Sequence, residues 1–223
     1  YELNGGTNAE GNPVVFDKDT STITLLEPIR EGYIFVGWTW EEGFGIGTEG
    51  QTTPVKDVAI ETGSIENKRF IANWEKMTDV IDQMIEDIPV LDEVTTENKE
   101  FISETLDIID ELLSEDNIGS LTDDEVIEFT EKKQQLDNLL DKIEKIEEKL
   151  DAVDSVVKET PEANKVTSED KGAIEEALDI IEELLKEENA GNITEDEKKT
   201  IEEQKTNLTE KLENIEKAEK KMD

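Results

Sequence analysis

From Thr122 to about Thr160 neither glycine nor proline interrupts the chain. Leu136, Leu140, Ile143, Ile146, Leu150, Val153 and Val157 recur there at spacings of three or four. Side chains so spaced share one face of an α-helix and form a heptad-like seam. Pro161 is the first breaker. At about 1.5 Å per residue the helix would be roughly 55 Å long, too long to belong to one small bundle. It is expected to leave one bundle and enter the next.

An internal repeat gives that expectation its reason. Pro89 and Pro161, Val94 and Val166, Leu106 and Leu178, Gly119 and Gly191, and Leu140 and Leu212 are each 72 positions apart. Val80–Asp151 aligns with Ala152–Asp223 without a gap, and roughly two residues in five are identical, the signature of a structural unit used twice. The seam crosses the boundary between the copies, so a helix shared by tandem units, as in the layout of spectrin-like arrays, is the simplest arrangement. Each copy reads as three amphipathic helices. In the first, Val80, Ile81, Met84, Ile85 and Ile88 have helical spacing up to Pro89. Thr95 or Thr96 is the expected N-cap of the next helix, whose apolar face is Ile102, Leu106, Ile109, Leu112 and Leu113 and which Asn117 and Gly119 end. Thr122-Asp123-Asp124-Glu125, and again Thr194-Glu195-Asp196-Glu197, have the form of a capping box. Short connections then give an antiparallel three-helix bundle per copy. The copies differ: Phe101, Val126, Ile127, Leu139 and Ile146 become Ala173, Lys198, Lys199, Lys211 and Ala218. A thinner core and a wetter flank are expected of the second.

Lys and Arg total 23 against 60 Asp and Glu, a net charge of −37. A surface this acidic repels phosphate backbones, which argues against nucleic acid as a partner and disfavours anionic membranes. No run of about 18 apolar residues exists to insert into a bilayer. With no Cys and no His, thiolate chemistry, disulfides and imidazole bases are excluded, and so are zinc sites of the usual kind.

Residues 1–75 are of another kind. They hold all three Trp, both Tyr and most of the Gly. Asn4-Gly5-Gly6-Thr7 signals a turn. Ser21–Leu26, Tyr33–Val36, Val55–Ile60 and Arg69–Trp74 are strand candidates, and Glu41–Thr53 is Gly-rich loop. Trp38 and Trp74 are expected in the core. Trp40, flanked by polar residues, is the candidate for an exposed aromatic contact with sugar or peptide, together with Phe44. The ordered set Asn4-Gly5-Gly6-Thr7, Arg30-Glu31-Gly32-Tyr33-Ile34-Phe35-Val36-Gly37-Trp38 and Ala72-Asn73-Trp74 resembles the internalin-type B-repeat, also called the Listeria–Bacteroides repeat. The resemblance covers about the first third of the chain. It implies a small β-grasp-like module on secreted or wall-attached bacterial proteins, serving as spacer or adhesion module, and brings no catalytic residues. Members begin a few residues before the Asn-Gly-Gly turn, so Tyr1 is expected to fall inside the first strand of a longer protein.

Ser114–Glu125 has Gly at its sixth place and Glu at its twelfth, as an EF-hand loop does, but Ser114 and Ile118 occupy ligand places and helix capping accounts for it better. Asn192-Ile193-Thr194 and Asn207-Leu208-Thr209 are formal glycosylation sequons that read as chance. No carboxylate pair stands in an apolar setting fit for acid–base work.

The expected fold is therefore α+β and multidomain: a β-grasp-like module at 1–75, then three-helix bundles at 76–147 and 148–223 sharing a long continuous helix. The expected role is a non-enzymatic, cofactor-free, monomeric spacer or adhesion segment at a bacterial cell surface or cell wall. The alternative is a module binding a host surface protein or glycan through bundle faces or the Trp40 loop.

Overall fold

The computed structural model describes residues 1–47, 49–90 and 93–221, apart from the side chains of Glu187 and Glu188. The fold is α+β: strands β1 (Ile23–Thr24), β2 (Tyr33–Trp40), β3 (Gln51–Val55), β4 (Ala59–Ile60) and β5 (Ile71–Lys76) precede the helices. These are α1 (Met77–Asp87), α2 (Lys99–Leu112), α3 (Asp123–Glu159), α4 (Lys171–Leu184), the single turn α5 (Glu187–Ala190) and α6 (Glu195–Glu219). The chain divides into two compact units, Tyr1–Ile85 with Asp107–Glu131, and Glu86–Leu106 with Lys132–Asp223. This division cuts across 1–75, 76–147 and 148–223, because α2 and α3 each supply residues to both units.

In the first unit β2 is central, antiparallel to β3 on one side and to β5 on the other. β1 and β4 form a separate two-stranded pair. The apolar run from Val55 to Ile60 is thus not one strand: Val55 pairs with Trp38, whereas Ala59 and Ile60 pair with Thr24 and Ile23, so the chain changes partners between them. Phe35, Trp38, Trp40, Phe70 and Ala72 form the core with Leu25, Val58 and Ile60. Their rings meet edge to face, Phe35 with Trp38 at 5.1 Å and Trp38 with Phe70 at 6.3 Å, an arrangement worth about 0.5–1.5 kcal/mol per pair beyond burial. β5 passes into α1 without a linker, and the Met77 amide donates to the Gly32 carbonyl at 3.0 Å.

In the second unit α3, α4 and α6 contribute to one core. Ile146 and Val153 meet Ile174, Ala177, Ile181 and Leu184, together with Ile201, Leu208 and Ile215. Each fully buried Ile or Leu stabilises by about 1.5–3 kcal/mol. α3 spans 37 residues, about 55 Å, and its seam residues Leu136, Ile143, Ile146 and Val153 are buried. Not every position follows the expectation. Lys211, read as part of a wet flank, is 3% exposed, and its ammonium donates to the hydroxyl and carbonyl of Thr160 at 2.6 and 3.2 Å.

Side-chain bonds recur at the interval of the repeat. Asn117 donates to the Glu111 carbonyl, and Asn189 to that of Glu183. The Thr95 amide donates to Asn98, and that of Thr167 to Asp170. Thr122 and Glu125 close a capping box, as do Thr194 and Glu197. Lys99 pairs with Glu147 and Lys171 with Glu219.

Candidate docking surfaces

The two aromatic residues singled out in the sequence part company. Trp40 is 9% exposed. Its ring lies edge-on to Phe70 at 5.7 Å, and its Nε1 donates to the Glu49 carbonyl at 3.2 Å. The Gly-rich loop folds back over the indole so closely that a Cβ on Gly45 would stand 1.8 Å from a ring carbon. Trp40 is therefore a core residue and not an exposed platform; its polar sequence neighbours concealed a contact made by a residue five positions on. Phe44 is 45% exposed. It borders a shallow recess of about 510 Å³ whose acidic groups are Glu42 and Glu66.

The first unit also carries a recess of about 360 Å³ beside Arg30 and Tyr33. The guanidinium lies 3.6 Å above the centre of the Tyr33 ring, a cation–π contact. In the second unit a groove of about 580 Å³ runs between α3 and α6, floored by Leu150 and Ile201 and rimmed by Asp151, Asp154, Asp196 and Glu197.

Two helix connections are engaged rather than open. In the first unit the connection from α2 to α3 meets the turn before β2, where the Gly32 amide donates to Asn117 Oδ1 at 2.9 Å in a buried bond. Gly32 has φ +73°, and a Cβ there would stand 2.4 Å from the Ser120 hydroxyl. Only glycine meets both demands. In the second unit the connection from α4 to α6 meets the segment before α2. Asn192, 2% exposed, donates to the Val94 carbonyl at 2.6 Å, and the Thr96 hydroxyl donates to Glu197 Oε1 at 2.7 Å. The sequon at Asn192 is thus committed to an interior bond. Sequence reading found Asn117 only as a helix terminator and Asn192 only as a chance sequon. The signal it passed over was an asparagine in each of two related Gly-containing connections.

Within Ser114–Glu125 the side chains of Ser114, Thr122 and Glu125 are engaged as caps. Ser114 donates to the Glu111 carbonyl at 2.6 Å, and Glu125 accepts from the amide and hydroxyl of Thr122, both at 2.8 Å. Those bonds hold the Glu125 carboxyl below the usual carboxylate range. The hydrogen bond and charge of Lys149 do the same for Glu183. Lys99 and Lys171 are held above the ordinary lysine value by Glu147 and Glu219, and burial pushes Lys211 below it. Among the described residues no group of three or more acidic side chains is disposed to hold a metal ion, and no helix is long and apolar enough to cross a membrane.

No protein-family model, curated protein or solved structure matches this chain.

Proposed function

We propose that this chain is a non-enzymatic spacer or adhesion segment of a bacterial cell-surface or wall-attached protein, and within that pair the spacer role is the leading one. In this reading a B-repeat-like, β-grasp-like module is followed by two tandem three-helix bundles with α3 in common. The observation that carries it is the recurrence, 72 positions on, of the same caps and the same lysine–glutamate pair. A chain that rebuilds one helical unit with the same fastenings adds length by repetition, as repeat architectures do. The ordered Asn-Gly-Gly, Arg-Glu-Gly-Tyr and Ala-Asn-Trp motifs of the first 75 residues support a surface setting, through the resemblance already described. The charge of −37 supports a solvated, monomeric segment with no nucleic-acid partner.

The exposure of Phe44 favours a second reading, in which the loop after Trp40 takes a host protein or glycan. One experiment separates the two: binding of residues 1–223 to serum proteins, matrix proteins and mucin glycans at physiological salt, beside a Phe44→Ala variant. The spacer reading expects no saturable binding. Saturable binding that Phe44→Ala abolishes would replace it with the second reading.

A further inference from the structure

The segment that receives Asn192 has a counterpart that receives nothing. Val94–Thr96 stands just before α2, where the Thr95 amide is capped by Asn98 at 2.9 Å. Seventy-two positions on, Val166–Ser168 stands before α4, with the Thr167 amide capped by Asp170 at 2.8 Å. Both segments offer a carbonyl from valine and, two residues later, a hydroxyl. The first pair is satisfied from outside the segment: Asn192 donates to the Val94 carbonyl, and Glu197 accepts from Thr96. Val94 is completely buried. By contrast, Val166 is half-buried, and Thr167 and Ser168 are exposed. Among the described residues nothing bonds to the Val166 carbonyl or to the Ser168 hydroxyl.

We infer that Val166–Ser168 is a docking site for a further copy of the helical unit, joined in tandem, whose α–α connection would sit there as residues 192–197 sit on Val94–Thr96. The inference rests on the reading of the helical half as one unit used twice. The chemistry required of the occupant is an amide donor for the Val166 carbonyl and, five residues later, a carboxylate oxygen for Ser168. The connection of this chain has both, and one glutamate serves two ends: Glu197 Oε2 closes the cap on Thr194, while Oε1 takes Thr96. The first copy carries Ser120 where the second has Asn192, and its connection meets the Gly32 turn instead. The asparagine accompanies docking onto a helical neighbour.

The test extends the full chain after Asp223 with a second copy of residues 152–223, which keeps the register of the repeat. Amide exchange at Thr167 and Asp170 and the Val166 methyl resonances are followed by NMR. Asn192→Ala in the present chain calibrates the method, because it should speed exchange at Thr95 and Asn98. The extended chain should slow exchange at Thr167 and Asp170 by about tenfold, the effect of one well-placed buried hydrogen bond, and should shift the Val166 methyls. Alanine at the added copy's counterpart of Asn192 should reverse both changes. If the added copy gains its helical circular dichroism and Val166 is unmoved, the docking site is refuted and the repeat reading stands. If the added copy stays unfolded, both fall together.

Discussion

Lys211 stands where the first copy of the repeat has Leu139, yet it is no less buried. Its ammonium serves the carbonyls that the end of α3 leaves without intrahelical partners, those of Val157 and Thr160. Burial lowers its pKa, against a weaker opposing pull from Asp170. The unfolded chain therefore keeps this proton to higher pH than the folded one does. The stability contributed by the site rises as pH climbs from the folded value to the ordinary value of about 10.4, and is level above it. Urea unfolding at pH 8 and pH 10 should show wild type gaining on Lys211→Met as pH rises; a constant difference would contradict this. The counterparts of Thr160 and Lys211 in the first copy are apolar, Ile88 and Leu139. Thr160→Ile or Lys211→Leu alone should each cost about 1–3 kcal/mol by leaving a buried partner unsatisfied. The double variant should regain more than half of the summed loss, as a thermodynamic cycle would record. Gly32→Ala, which must hold a positive φ and displace Ser120, should cost about 1–3 kcal/mol. Ser120→Gly in the same chain should return part of it, because only the steric share is relieved.

α3 is the element that sequence described best. Its seam, its start at a capping box and its end before Pro161 are all local properties of 37 consecutive residues, and periodicity reads local properties well. What sequence missed is non-local. Trp40 is buried because Gly45 lies on its ring, and Lys211 because its partner is 51 positions away. The strand expected at Val55–Ile60 is divided because two different sheets claim its ends. The docking groups Asn117 and Asn192 were visible as residues but not as a pair of bonds, since Gly32 and Val94 lie 85 and 98 positions from them. Asp151 is exposed on α3, so Asp151→Pro tests the backbone alone. Proline there removes one hydrogen bond and clashes with the preceding turn, at a cost of about 3 kcal/mol. Circular dichroism should show lost helicity and an earlier urea midpoint, whereas Asp151→Ala should match wild type. Equal melting of the proline variant and wild type would mean that α3 tolerates a break.

For the molecule as a whole, 60 acidic groups face 23 basic ones, so most carboxylates have no cation to meet. Several of the ion pairs, such as Lys145 with Asp141 and Lys217 with Glu213, are well exposed, and such pairs contribute about 0–1 kcal/mol each. Repulsion among the remaining carboxylates outweighs them. Raising sodium chloride from about 10 to about 150 mM shortens the Debye length from about 30 to about 8 Å. Tm should therefore rise with salt, opposite to the trend of a fold held by ion pairs; a fall would show that the pairs dominate. A melt of this kind can be read in two places at once. Trp38, Trp40 and Trp74 are the three tryptophans of the chain and all belong to the first unit. Trp38 is wholly buried, and among the described residues its Nε1 finds no hydrogen-bond partner, so its emission should shift to longer wavelength when the first unit unfolds. Fluorescence follows the β-strands, and far-ultraviolet ellipticity follows the helices, most of whose residues belong to the second unit. Two traces that coincide would describe one cooperative transition, and two that separate would give each unit a melting temperature of its own without a label or a cut in the chain.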